Sequence, residues 1–417
     1  MRAALLFVRT LSTRTLRTRT LSTRMLRTRT LRTRTLSTFV LSALALTTES
    51  LRAQSAAAPP SVTRADLATA YLRLDRAYTT ASMPDSLRAT INKTFDRATL
   101  SFFAGKFAAA VAAVDSATVL LTGKPLEAPP APPARVVNGR MPSVLRGTLL
   151  ARLARLDSAG PLAQAIVSAR ARVQLLVDTA SRERSIEFLT DPAALARDLV
   201  REVSVLERGR DPYVGQAGDA WRMFRGHKGT LIPMRVIAPA AAAVSSAPVP
   251  VVIALHGAGG DENMFADSYG AGLLPQMAIA ANAIVVTPAT TPFSAAPENF
   301  DSLMTVLRAE YRINGARIYV IGHSMGAGAA ARLAQQRPEQ LAAVACLSGG
   351  SAVTVAKAPP ILFLGAALDP VIPARVVQAA AKGTPTGTYE QLEHEGHTLM
   401  VANGIRRALP WLLSHRP

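Results

Sequence analysis

The sequence predicts an α/β fold, a mostly parallel sheet with helices on both faces, preceded by an α-helical N-terminal domain. Three observations carry this. Short, near-continuous apolar runs at 249–255, 283–287, 317–321, 341–347 and 361–364 alternate with helical stretches, the texture of parallel strands buried on both faces. Upstream, from 61 to about 210, Ala, Leu and Arg recur at helical spacing, as at Leu67, Tyr71, Leu72, Leu74 and Tyr78. Finally, Gly322-His323-Ser324-Met325-Gly326 joins the run 317–321 to an alanine-rich stretch at 327–336, which reads as strand, sharp turn, helix.

The 417-residue chain opens on a segment without a packing period. Between 11 and 36 a five-residue unit of the LSTRT and LRTRT type repeats without a break, and five matches neither the 3.6-residue period of a helix face nor the 2.0 of a strand. Residues 1–60 hold 11 arginines, no lysine and one acid, Glu49, so they supply +10 of the formal +19 charge. An apolar segment at 39–46 follows, then small residues around 53–58. That order reads as a basic repeat plus secretory signal peptide over 1–58, too short to span a bilayer, with Met25 as an alternative start. The expectation is a secreted or periplasmic protein that meets a membrane only through this segment, if it stays uncleaved. Beyond it, 36 basic and 27 acidic side chains show no basic stripe interleaved with aromatics, which argues against nucleic acid as a partner.

Residues 61–210 are expected to form the helical domain. The stretch 98–118, with Phe102, Phe103, Gly105, Phe107, Ala110 and Val114, resembles one helix-turn-helix unit of tetratricopeptide type, with Gly105 where two helices approach closely. A single unit is not an array, because such repeats need neighbours to bury their faces. A proline-rich link at 125–142 divides the domain, Pro161 and Pro192 suit helix starts, and the helices offer a surface for a protein partner. From 211 to 417 the texture changes: runs at 220–224 and 231–237 flank Gly226-His227-Lys228-Gly229, a hairpin leading into the sheet.

Ser324 is the candidate nucleophile. At the apex of a strand-turn-helix its backbone is strained, its flanking glycines leave room for neighbouring elements, and its hydroxyl is pushed into the open beside the positive end of a helix. Four blocks, Leu255 to Asp261, Arg317 to Gly326, Gly365 to Asp369 and Gly396-His397, together resemble the α/β-hydrolase superfamily over about 211–417. Within it the chain is most similar to secreted polyhydroxyalkanoate depolymerases, feruloyl esterases and related carboxylesterases. The resemblance implies a Ser, Asp, His order: Ser324, then Asp369 as the orienting acid, then His397 as the base in the loop after the strand at 389–392. His394 competes for the base and Glu393 and Glu395 for the acid. Asp369 followed by Pro370 would also suit a helix cap. His323 should point away from the hydroxyl of Ser324, and His227 and His415 read as surface residues. Two backbone amides should hold the oxyanion, those of Met325 and Ala258, with Gly257, Gly259 and Gly260 letting the backbone approach the substrate.

The reading is a serine hydrolase cleaving carboxylic esters through an acyl-enzyme, with a small-molecule or polymeric ester as substrate, no metal and no cofactor. Cys346, the only cysteine, reads as a buried strand residue. The pattern departs from the family at Ala327, where a glycine is usual. Short connections at 288–299 and 348–360 leave no room for an inserted lid, so an accessible pocket is expected unless the helices of 61–210 cover it. Two other readings share these features: a peptidase of the prolyl oligopeptidase type, without its propeller, and a non-catalytic envelope scaffold.

Overall fold

The computed structural model describes residues 62–126, 141–174, 176, 192–244 and 247–416. The basic repeat, the signal segment and most of the proline-rich link lie outside these residues. Eight strands form one sheet: β1 (Gly218–Arg225), β2 (Leu231–Ala238), β3 (Val249–Leu255), β4 (Ile284–Pro288), β5 (Ile313–His323), β6 (Ala343–Leu347), β7 (Ile361–Ala366) and β8 (Gly387–Leu392). Their order is β1-β2-β4-β3-β5-β6-β7-β8. The hairpin β1–β2 and the β2–β4 pair are antiparallel; every other pair is parallel.

Among the described residues the helices are α1 (Arg64–Thr80), α2 (Asp85–Phe103), α3 (Phe107–Thr122), α4 (Met141–Ala154), α5 (Ala163–Val173), α6 (Pro192–Glu207), α7 (Ala240–Val244), α8 (Leu273–Ala280), α9 (Thr290–Phe293), α10 (Glu298–Glu310), α11 (Met325–Gln336), α12 (Ala374–Lys382) and α13 (Met400–Ser414). β3, β4, β6 and β7 are buried on both faces, which is why they read as continuous apolar runs. Along β3, Val252 and Ala254 join one core cluster while Val251, Ile253 and Leu255 join the other, as the two-residue strand period requires. The first core lies under α8 and α13, the second under α10, α11 and α12. Pro192 opens α6, as expected.

Residues Pro59–Pro417 form one compact unit. Leu74, Tyr78, Ile91, Phe95 and Val114 of α1–α3 belong to the same cluster as Phe265, Tyr269 and Ile321 of the sheet half. α4–α6 keep a cluster of their own around Leu149, Leu153, Ile166, Leu199 and Val203, with Tyr213. They guard the sheet edge: Gln164 on α5 donates to the Met223 carbonyl (2.8 Å) and accepts the Arg225 amide (3.1 Å), occupying groups that an open β1 edge would expose. Gly105 has a different role from the close approach expected of it. Its φ is 70° and nothing lies within 4 Å of where a Cβ would stand, so it supplies the left-handed residue after α2.

α1 is docked through a buried carboxylate. Asp75 Oδ2 accepts the Ala271 amide at 2.6 Å, and Asp75 is 1% exposed. Burial raises its carboxyl from 3.8 to about 7, against the opposing pull of the Ala271 and Gly270 amides and of Arg406. A carboxyl raised on folding keeps a proton that the unfolded chain has already released, so its contribution to stability falls as pH rises through that window. Asp75→Asn should therefore flatten the decline in Tm between about pH 4 and pH 7, a slope that one such proton sets at about 1.4 kcal/mol per pH unit. Parallel pH profiles of Tm for the two proteins would contradict this.

Candidate active site

Ser324 stands between β5 and α11 with φ 55° and ψ −116°, a conformation that costs a non-glycine residue about 1–3 kcal/mol. Backbone on three sides holds it there. Its amide donates to the Leu347 carbonyl of β6 at 2.9 Å. A Cβ on Gly322 would lie 2.2 Å from the Gly326 carbonyl oxygen, and one on Gly326 would lie 1.9 Å from that of Leu255. Gly349, which sequence reasoning passed over, is equally constrained, with a Cβ there falling 2.6 Å from the Ser324 carbonyl oxygen. Ala327, the departure from the family pattern, is fully buried and fits within the core under α11.

The structure brings Ser324, Asp369 and His397 together from three separate loops. His397 Nε2 lies 3.0 Å from Ser324 Oγ, and His397 Nδ1 lies 2.7 Å from Asp369 Oδ2. Because Asp369 is an acceptor, Nδ1 carries the proton and Nε2 presents its lone pair to the hydroxyl. Burial works to raise the Asp369 carboxyl, but the hydrogen bond from His397, its charge and the amides of Ile372 (2.8 Å) and Val371 (2.7 Å) outweigh this and hold it below the ordinary carboxylate range. Asp369 thus caps the turn after it with Oδ1 while Oδ2 orients the imidazole. His394 is not brought to the site, since it pairs with Asp85 at 3.2 Å; Glu395 is buried against Tyr78, Arg88 and Asn403.

The amides of Met325 and Ala258 find no hydrogen-bond acceptor among the described residues, and Ala258 lines the same cavity as Ser324. Two neutral histidines brace this corner. Thr290 donates to His256 Nε2 at 2.9 Å, so Nδ1 carries the proton and donates to the Gly257 carbonyl at 2.8 Å. Burial, above all, lowers its pKa. His323 Nε2 donates to the His397 carbonyl (2.9 Å), leaving Nδ1 to accept from Tyr269 Oη (2.9 Å), which in turn accepts the Gly257 amide at 3.4 Å. Burial, and then His397, push the His323 imidazole down to about 3, so it stays neutral across the working range. One buried polar chain therefore links the glycine loop after β3 to the backbone of His397.

A positive-φ serine on the turn after β5, with an acid after β7 and a histidine after β8, follows the strand-turn-helix geometry and chain order of the nucleophile elbow. Residues 289–401 match the family model described as Hydrolase_4, serine aminopeptidase S33. The sheet and the turn at Ser324 have the α/β-hydrolase fold. Among curated proteins, Cutinase 1 of Thermobifida cellulosilytica is 43% identical over 67 residues, 15% of this chain; the chain spans about a quarter of that relative, 24% of its length. Among solved structures, a thermostable esterase superposes with a TM-score of 0.41 at 23% identity, covering 48% of this chain and 63% of its own. Est1E from Butyrivibrio proteoclasticus gives a TM-score of 0.38 at 12% identity, covering 48% of this chain and all (100%) of that one.

Short loops leave the site reachable, while the N-terminal helices supply part of its wall. Ser324 and His397 lie on a cavity of about 150 Å³ whose other wall comes from α1–α3, including Leu67, Tyr71, Phe95 and Phe102. The Phe102 ring presses on the glycine loop, where a Cβ on Gly259 would meet it at 2.3 Å. Arg64 lies over the Phe102 ring, 5.6 Å from its centroid, and donates to the Gly259 carbonyl. Sequence reasoning missed Tyr269, His256 and the polar residues of α2 that face the site. The signal for the last was present but faint: Asn92 and Asp96 interrupt the apolar stripe of Ile91, Phe95 and Ala98. Gly326→Ala should leave the protein destabilised by about 2 kcal/mol or more, since the methyl cannot avoid the β3 backbone. Soluble protein with unchanged Tm would refute the close approach.

Proposed function

We propose that this protein is a serine esterase that cleaves carboxylic esters through an acyl-enzyme, with Ser324 as nucleophile, His397 as base and Asp369 as orienting acid. The observation that carries the reading is the unbroken hydrogen-bond line from Asp369 through His397 to Ser324 Oγ. As Oγ attacks the acyl carbon its proton passes to His397 Nε2, and Asp369 stabilises the imidazolium that forms. The carbonyl oxygen gains negative charge and is received by the Met325 and Ala258 amides, each such donor contributing about 2.7–4 kcal/mol to the transition state. Collapse of the tetrahedral adduct breaks the bond to the alcohol oxygen, which takes the proton from His397. Water then repeats the sequence on the acyl-enzyme, giving up its proton to His397 and releasing the acid from Ser324.

The cavity supports a limit on the acyl group. Its wall is mostly apolar and aromatic, and a cavity of about 150 Å³ is one that takes a benzene ring in other proteins. Short chains or single rings suit it, whereas long acyl chains would have to displace Phe102. A second reading, hydrolysis of peptides, is favoured by the description of the matching family as a serine aminopeptidase. Asp261, the acid among the described residues on the cavity wall, is the group that would meet a free amine. Its Oδ1 already accepts both the Asn263 amide and side chain, at 2.9 and 3.1 Å, which favours the ester reading. We also read the protein as secreted or periplasmic, on the order of basic, apolar and small-residue segments before residue 60.

Ser324→Ala should remove hydrolysis of p-nitrophenyl acetate and butyrate and labelling by a fluorophosphonate; retention of either would sink the assignment. Across p-nitrophenyl esters of graded length the rate should fall beyond about six carbons, and Phe102→Ala should move that limit to longer chains, as a 150 Å³ cavity implies. Fluorogenic peptides cleaved faster than the best ester would decide for the peptidase.

A further inference from the structure

The loop that carries His397 is held by α2, a helix outside the hydrolase sheet. Asp85 meets His394 (3.2 Å), Arg88 meets Glu395 (3.2 Å), Asn92 accepts the Gly396 amide (2.7 Å), Asp96 accepts the His397 amide (3.2 Å), and Thr99 meets Thr398 (3.4 Å). Positions 85, 88, 92, 96 and 99 recur every three or four residues and form one stripe of the helix. Successive loop residues from 394 to 398 thus meet successive turns of α2.

Two of these contacts are built for the purpose. Asn92 Nδ2 donates to Tyr78 Oη (2.8 Å) and to the Arg88 carbonyl (3.0 Å), which fixes its Oδ1 as the acceptor turned to Gly396. Asp96 is buried and its Oδ2 has no hydrogen-bond partner, an arrangement that costs about 1–3 kcal/mol and that an alanine would avoid. The carboxylate also demands Gly396, where a Cβ would lie 2.2 Å from Oδ2. What Asp96 supplies in return is the acceptor for the His397 amide. The carbonyl of His397 is held from the opposite side by His323 Nε2, at 2.9 Å. Both backbone ends of the base are therefore anchored, one by the helical region and one by β5.

We propose that α2 is a splint for the base-bearing loop, and that Asn92 and Asp96 are positioning residues that keep His397 in line with Ser324. The proposal rests on the esterase reading and adds to it that the N-terminal helices complete the catalytic geometry. Neither residue touches Ser324, so each acts through the backbone of the loop.

The test compares full-length wild type, Asp96→Ala, Asp96→Asn and Asn92→Ala on p-nitrophenyl butyrate, with Tm recorded for each. Asp96→Ala should lower kcat by about 10- to 100-fold, the cost of a small misplacement of a reacting group, with KM within about twofold. Asp96→Asn keeps an acceptor oxygen for the amide and should return kcat to within about threefold of wild type, with Tm showing that both variants are folded at the assay temperature. Wild-type kcat in Asp96→Ala, or an equal loss in Asp96→Asn, would overturn the proposal. Should Asp96→Ala not fold, Asn92→Ala decides, with a fall in kcat at constant KM expected and unchanged kcat overturning it. Ester hydrolysis by wild type that Ser324→Ala abolishes keeps the esterase reading intact whichever way these variants fall.

Discussion

The close approach of three backbone segments around the turn at Ser324 is the constraint on which the rest of the site depends. α11 can start directly from β5 only because Gly326 lies against the Leu255 carbonyl, Gly322 against the Gly326 carbonyl, and Gly349 against that of Ser324. No side chain could occupy any of these positions without moving a strand. The same contacts force the serine into a left-handed backbone, and the parallel strands on either side prevent its relaxation. The strain is therefore borne by the sheet, and the hydroxyl is held where the histidine after β8 can reach it.

Around that turn the electrostatics favour one charged form. Asp369 is kept ionised by donors that outweigh its burial, while His256 and His323 are kept neutral by theirs. A neutral His323 can accept from Tyr269 and donate to the His397 carbonyl at the same moment, which an imidazolium could not do. Titratable groups beside the site thus serve as fixed hydrogen-bonding struts. His397 is left as the group that exchanges a proton with Ser324 in the proposed reaction.

The helices before the sheet turn out to be part of the same construction. α1 and α2 carry polar side chains into a largely apolar interface, among them Asp75 to the Ala271 amide, Tyr78 and Arg88 to Glu395, and Asn92 and Asp96 to the loop of His397. Buried polar groups are costly when unpaired, so these pairs fix one docking register where apolar packing alone would tolerate several. The roof over the cavity and the alignment of the loop follow from that one register.

Local patterning determined a good deal. Unbroken apolar runs placed the parallel strands β3 to β7, because a strand buried on both faces needs no alternation, and the glycines around Ser324 marked the turn, because only glycine fits there. Order along the chain and resemblance pointed to Asp369 and His397 while leaving His394 in contention, since three residues of slip in a loop have no periodic signature. Only the tertiary structure separated them, by pairing His394 with Asp85 and turning His397 to Ser324. It alone also decided what α1–α3 do: an amphipathic helix announces that it buries a face, but the identity of the surface it covers is set by contacts some three hundred residues apart in sequence, as between Asp96 and His397. Such contacts leave no period for a local reading to find.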